Sequence, residues 1–259
     1  MQLLTDALHR IAYATDASAY REMPLAVAYP KDEEDLRWLL DEARKRHTHL
    51  IPRAGGTSIA GQVVGNGIVV DVSRYMNAIL EVNPEQRWVR VQPGVVRDEL
   101  NLALRPYGLF FSPETSTSNR CCIGGMVGNN SCGTHSLIYG STRQHVVGLR
   151  LMLTDGTVVH VGKTLSNSCS EENNSSSLWQ SIISQLTSWQ QDERVRHLIE
   201  DSFPDQRLKR RSCGYALDEA LYNSQTPHTL DIPALIAGSE GTLALVTEIE
   251  VSLDPLPSE

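Results

Sequence analysis

Ile51-Pro52-Arg53-Ala54-Gly55-Gly56-Thr57-Ser58-Ile59-Ala60-Gly61-Gln62 carries a short apolar run straight into small residues and hydroxyls. Leu50-Ile51-Pro52 reads as a strand, and the residues after it have little side-chain bulk to keep a ligand off the main chain. Successive N–H groups, with the Thr57 and Ser58 hydroxyls, make a concave donor set of the kind that takes phosphate oxygens. The pair Gly55-Gly56 alone is equally what an ordinary turn between strands needs. The spacing is neither G-x-G-x-x-G nor G-x-x-x-x-G-K-[ST], so neither a dinucleotide Rossmann domain nor a P-loop is indicated.

Around this stretch, Ile68-Val69-Val70-Asp71-Val72 and Trp88-Val89-Arg90-Val91 read as two further short strands. Asp32 can cap a helix whose apolar positions Leu36, Leu39, Leu40 and Ala43 share one face. After Pro93-Gly94, Val96, Leu100, Ala103 and Leu104 mark a second helix, ending at Pro106 to Gly108. Strand and helix alternate, which predicts a small α/β lobe over the first hundred or so residues.

The next segment, Ser112-Pro113-Glu114-Thr115-Ser116-Thr117-Ser118-Asn119-Arg120-Cys121-Cys122-Ile123-Gly124-Gly125-Met126-Val127-Gly128-Asn129-Asn130-Ser131-Cys132-Gly133, is long, glycine-rich and full of small polar groups. It cannot build a core unaided, yet Ile123, Met126 and Val127 interrupt it too regularly for disorder, so it reads as backbone laid along a ligand. Cys121, Cys122 and Cys132 lack a fourth ligand at metal-site spacing and read as buried small hydrophobes. A third segment, Ala237-Gly238-Ser239-Glu240-Gly241-Thr242-Leu243, places a tight polar turn before the last apolar run, Leu243 to Leu253.

Between them, VVGLRLMLTDGTVVHV (146–161) reads as a hairpin closed by a two-residue Asp155-Gly156 turn. Thr164 to Ser177 is polar and of low complexity, and a helix runs from Leu178 to about Ile199 with Ile182, Ile183, Leu186 and Trp189 on its apolar face. The second half therefore reads as a larger α+β lobe with mixed or antiparallel sheet.

The chain has 259 residues, 18 Gly and 12 Pro, a composition that fits a folded protein rather than a disordered or collagenous one. Its net charge of −8 argues against nonspecific nucleic-acid binding or attachment to anionic lipid. No apolar run is long enough for a membrane helix, and the five cysteines, an odd number without C-x-x-C pairs, read as reduced thiols of a cytoplasmic protein.

Taken together, Pro52 to Ser58, then Cys122-Ile123-Gly124-Gly125 with Gly128-Asn129-Asn130, then Gly238 to Thr242 resemble, in letters, order and separation, the three flavin motifs of the vanillyl-alcohol oxidase type of FAD-binding domain. Asp16-Ala17-Ser18 with Pro24 and Pro30, Tyr139-Gly140, and Cys213-Gly214-Tyr215-Ala216-Leu217 agree with it. Within that family the chain is most similar to the FAD-linked dehydrogenases of D-2-hydroxyglutarate, D-lactate and glycolate, particularly large bacterial members with an iron-sulfur C-terminal region. The resemblance implies that Pro52, Arg53, Ala54, Gly55, Gly56, Thr57 and Ser58, with Gly61 and Gln62, hold the FAD pyrophosphate. Pro113 and Glu114 would lie near the flavin, Gly124, Gly125, Asn129 and Gly133 along the ribityl and pyrophosphate path, and Gly238, Ser239, Glu240, Gly241 and Thr242 would close over the cofactor.

Thr57 stands where relatives with histidine-attached flavin often carry that histidine, so noncovalent FAD is expected. Ala54 replaces a common glycine, which is harmless only at negative φ. In the family a cap domain follows the last flavin strand and supplies the acid-binding groups, the metal-binding residues and the base, so the resemblance implies a C-terminally truncated piece of a longer enzyme. His135 and His145 are candidate bases and Arg120 and Arg143 candidate anion contacts, though a His near such a loop is more often a structural hydrogen-bond partner and most arginines are solvated or structural. The expectation is an α+β, two-lobed FAD-binding domain, with a small α/β lobe at 1–110 and a larger α+β lobe at 111–259. It would serve an oxidoreductase passing hydride from a D-2-hydroxy acid to FAD, the acid bound through the absent cap, and would self-associate weakly. An FAD domain of an enolpyruvyl-sugar reductase and a flavin-free interaction module are the alternatives.

Overall fold

A computed structural model of the chain describes residues 1–162, 176–205, 208, 210, 211, 214–222 and 229–257. Cys169, Cys213 and the polar stretch from Thr164 up to residue 175 lie outside them.

The N-terminal unit is a three-stranded parallel sheet of β1 (Ala26–Ala28), β2 (Leu50–Arg53) and β3 (Ile68–Asp71) in the order β1-β3-β2. Helix α1 (Ala7–Ala12) precedes it, and α2 (Glu33–Lys45) connects β1 to β2. The α2 helix forms as its sequence predicts. Asp32 caps it by accepting from the Asp35 N–H at 2.9 Å, acidic residues fill the first turn, and Arg44 and Lys45 close the last. Its buried residues Leu36, Leu39 and Ala43 pack with Ala26, Ala28, Ile68 and Val70 of the sheet.

The second sheet has five strands, all antiparallel, in the order β4-β5-β9-β7-β8. They are β4 (Ile79–Asn83), β5 (Trp88–Val91), β7 (Val146–Met152), β8 (Val158–Gly162) and β9 (Leu245–Ser252). Thus β4 and β5, which the sequence groups with the first lobe, hydrogen-bond into the second sheet, because β5 pairs with β9 along Trp88↔Ser252 to Val91↔Ile249. A short ribbon pairs β6 (Leu109–Phe110) with β10 (Asp254–Pro255). Val89, Val91, Leu149, Leu151, Ile249 and Val251 form the core beneath α3 (Arg97–Leu104) and α4 (Ile123–Asn129). The short α5 (Ser136–Tyr139) and α6 (Thr142–His145) follow, and α7 (Ser177–Gln191), α8 (Glu193–Ser202), α9 (Leu217–Tyr222) and α10 (Ile232–Ile236) complete the fold.

Three local readings change. The β7–β8 hairpin closes on three residues, Thr154-Asp155-Gly156, with Leu153 N–H donating to Thr157 O at 2.8 Å and Gly156 at φ +85°; an inserted left-handed glycine makes this a bulged turn rather than a two-residue one. The single helix expected from Leu178 to Ile199 breaks at Asp192, which has extended φ/ψ and caps α8 by accepting from Arg194 N–H. Its apolar face also turns, since Trp179 and Leu186 are buried while Trp189 is exposed. Finally, α4 sits inside the segment expected as backbone laid along a ligand, and its first N–H, on Ile123, donates to Val95 O.

The two units are tied by Glu33 of α2. It accepts from Arg150 Nε at 2.7 Å and from the buried Thr247 hydroxyl at 2.9 Å, on neighbouring strands β7 and β9. Burial pushes the Glu33 carboxyl up, and those hydrogen bonds and the Arg150 charge outweigh it, leaving a net lowered pKa. Met152 of β7 completes the small unit's core.

Candidate functional site

Strand β2 ends at Arg53 and releases residues 54–62 between the two units. Gly56 and Gly61 take positive φ, whereas Ala54 does not, so the alanine costs no backbone strain. Among the described residues, the N–H groups of Gly56, Thr57, Ser58, Ile59 and Ala60 donate to no protein acceptor. Consecutive unengaged donors are what a phosphate cradle requires. Arg53 supports it from below: its guanidinium donates to Thr15 O at 2.9 Å, lies 5.0 Å over the Tyr13 ring, and would meet a Cβ on Gly56 at 2.7 Å.

The second segment reaches the first at Gly55, where a Cβ would stand 2.5 Å from Arg120 O. Gly124 is equally tight, with its N–H on Pro93 O at 2.8 Å and a would-be Cβ 2.5 Å from the Pro93 side chain. The third segment is bonded to the second through Gly238 N–H to Val127 O at 2.9 Å and Glu240 N–H to Gly128 O at 2.8 Å. It touches the first where Gly241 approaches Pro52.

These three segments enclose a cavity of about 780 Å³, within the range of small-molecule and cofactor sites. Of the residues marked from sequence, its wall takes Pro52, Arg53, Ala54, Gly55, Gly56, Thr57, Ser58 and Gln62 from the first segment. Gly124, Gly125 and Asn129 come from the second, and Ser239, Glu240 and Gly241 from the third. Gly61, Pro113, Glu114, Gly133, Gly238 and Thr242 stand off the wall. The sequence reading missed the apolar side of the cavity, where Leu36 and Val72 of the small unit face Val127, Ile236, Leu245 and Val246 of the large one. Only a 3.6-residue or two-residue periodicity marks these residues, and that signal means core as readily as ligand.

Glu114 lies beside the cavity segment. It accepts from the Thr134 hydroxyl, from the His135 N–H at 3.0 Å and from His135 Nδ1 at 2.9 Å. The Thr134 bond and then the His135 contacts hold its carboxyl down at about 2 against mild burial. Gly133 is required against it, since a Cβ there would overlap Glu114 Cγ and stand 2.8 Å from Glu114 O. His145 is buried, with Nε2 2.8 Å from Tyr139 O and its ring edge-on to Phe111 at 5.8 Å. Arg143, also buried, donates to Ala234 O, Ala237 O and Gly214 O, holding the third segment's entry from behind. Arg120 is exposed and donates to Asn119 Oδ1. Cys121 and Cys122 are free, buried thiols on the cavity wall; burial pushes both up, Cys122 to about 12, so they sit there as small apolar groups.

A flavin nucleotide presents a flat apolar ring system and a doubly charged pyrophosphate. The apolar wall, the unengaged N–H donors of Gly56 to Ala60 and the glycines that no side chain can replace fit those two demands.

Comparison with known proteins points the same way. A D-2-hydroxyglutarate dehydrogenase of Escherichia coli (strain K12) is 40% identical over 98% of this chain, which spans 25% of that relative's length. Glycolate oxidase subunit GlcD of Bacillus subtilis (strain 168) is 28% identical over 96% of the chain and 41% of its own length. A solved structure of alkyldihydroxyacetonephosphate synthase superposes on the whole chain with a TM-score of 0.66 at 19% identity, over 38% of its own length, a likeness of fold. The chain thus spans about a quarter of the length of the dehydrogenases it matches. The model of a family described as the FAD binding domain matches residues 24–162, more than half of the sequence and two of the three glycine segments; the chain belongs to that family.

Proposed function

We propose that this chain is the cofactor-holding part of an FAD-dependent oxidoreductase acting on a D-2-hydroxy acid. The observation that carries the reading is the convergence of three glycine segments, far apart in sequence, on one cavity with an apolar wall and unengaged N–H donors. The residues proposed to hold FAD are the sequence-marked ones on that wall, Pro52 to Ser58, Gln62, Gly124, Gly125, Asn129 and Ser239 to Gly241. Glu114, Gly133, Gly238 and Thr242 would shape the segments from outside it, with Gly61 and Pro113. Division into cofactor-binding lobes at 1–110 and 111–259 is part of this reading, with β4 and β5 contributed across it. Bound FAD supplies the acceptor for the hydride leaving the hydroxyl-bearing carbon. The chain's own residues bind and orient the cofactor and exclude water from its inner face. With threonine at position 57, the cofactor is held noncovalently.

The names of the curated relatives favour a D-2-hydroxy acid as substrate, bound by protein beyond these residues. No described helix is long and apolar enough to cross a membrane, and the free thiols favour a cytoplasmic setting. Weak self-association belongs to the same proposal and is checked by sedimentation across concentration.

The visible spectrum of the purified protein tests the cofactor, followed by chromatography of what denaturation releases. Flavin absorption and released FAD are expected; colourless protein that takes up no added FAD overturns the reading. Substrate class is tested by anaerobic bleaching of the flavin band with D- against L-2-hydroxyglutarate, D-lactate and glycolate, in protein of the relatives' full length. Equal response to both hand forms, or none to any acid, would remove the D-2-hydroxy-acid assignment.

A further inference from the structure

Gln62 is marked from sequence as a direct contact of the cofactor phosphates, but its side chain is engaged elsewhere. Its carboxamide oxygen accepts from the Ser58 hydroxyl within the first segment. Its carboxamide nitrogen donates to Asn129 Oδ1 at 3.4 Å and to Glu240 Oε1 at 3.2 Å, on the second and third segments. One amide therefore joins all three glycine segments. Glu240 is itself fixed at its other end, by its N–H on Gly128 O, in a left-handed conformation at φ +53° that L side chains rarely adopt. Such a conformation persists where the surroundings impose it. Gln62 and Glu240 also both line a second cavity, of about 610 Å³, which shares Pro52 and Gly241 with the first. The bond between them is part of the partition that gives the first cavity its boundary.

We infer that Gln62 is a positioning residue, a polar clasp that draws the three segments into the cofactor-ready arrangement by acting through Ser58, Asn129 and Glu240. This rests on the reading that the first cavity is the FAD site. The clasp needs a donor between two acceptors, so its chemistry is specific. Alanine at 62 releases the segments. Glutamate at 62 sets a second carboxylate against Glu240 and drives them apart. Exchanging the pair, Gln62→Glu together with Glu240→Gln, rebuilds the bond with donor and acceptor reversed.

The test is FAD affinity by flavin fluorescence, together with amide hydrogen exchange of the cofactor-free protein over residues 56–60 and 239–242. For three hydrogen bonds lost near the surface, one of them to a carboxylate, Gln62→Ala is expected to raise Kd about tenfold. Gln62→Glu is expected to raise it further, and the exchanged double variant to return most of the loss. Both single variants should speed exchange in the two segments without FAD present, and the double variant should slow it again. A direct cofactor contact would instead leave cofactor-free exchange unchanged and give losses that add in the double variant, and either result overturns the clasp. If the unaltered protein takes up no FAD, the cofactor reading fails while the exchange measurements still decide the clasp.

Discussion

Gly55, Gly124 and Gly125 separate packing from ligand contact. At Gly55 and Gly124 an added Cβ would fall 2.5 Å from Arg120 O and from Pro93 Cβ, distances at which the neighbouring segment must move. At Gly125 the nearest atom is Ala54 Cβ at 3.4 Å, an ordinary contact, although the residue faces the cavity. Gly55→Ala and Gly124→Ala should therefore lower both the thermal unfolding midpoint and FAD affinity. Gly125→Ala should leave the cofactor-free midpoint unchanged or raised, since a helical glycine costs about 0.5–1 kcal/mol against alanine, while weakening FAD. A Gly125→Ala protein with undiminished FAD affinity would move the cofactor off this helix. Glu114 gives a pH signature. Its folded pKa, about 2, lies below the ordinary 4.5, so its contribution is complete above about 4.5 and fades as pH falls towards 2. The difference in unfolding midpoint between the unaltered protein and Glu114→Gln should shrink through that window, and a constant gap would refute the assignment.

The bulged turn between β7 and β8 carries an equally local prediction. Gly156 at φ +85° has only the Arg37 side chain nearby, so strain rather than clash decides a substitution. Gly156→Val should cost about 1–2 kcal/mol in denaturant unfolding and Gly156→Asn clearly less, since asparagine tolerates the left-handed region; equal costs would point to packing instead. Elements of this kind mark how far the sequence was legible. The α2 helix was read to the residue at its start, because Asp32 and the Leu36, Leu39, Ala43 spacing are local signals that tertiary structure did not override. The α7–α8 break was hidden because the apolar pattern continues across Asp192, whose side chain caps α8. The α4 helix was hidden by Gly124, Gly125 and Gly128, residues poor in helix propensity, of which close packing on Pro93 requires Gly124. The polar segments around the cavity were visible as motifs. Its apolar wall was not, because Leu36, Val72 and Val246 meet only when the two units dock.

Docking of the units is itself testable through Glu33, which reaches both β7 and β9 without lining the cavity. Glu33→Ala removes the acceptor shared by the Arg150 guanidinium and the buried Thr247 hydroxyl, and a loss of about 2 kcal/mol in unfolding is expected for a charge-assisted pair of this kind. FAD affinity should fall with it, since the cavity is built from both units. Undiminished affinity with reduced stability would show that the cofactor site holds its shape independently of this tie. The sheet order has a consequence for biosynthesis. Strand β9, at the centre of the five, is the last of them to leave the ribosome, and its partner β5 lies more than 150 residues earlier. At about 5–20 residues per second, the nascent chain spends on the order of ten seconds with β5 and β7 each presenting an unpaired edge. The cofactor cannot be enclosed in that interval, because Leu245 and Val246 of the cavity wall are part of the missing strand. Until translation passes Ser252, the protein depends on whatever shields open strand edges in the cell.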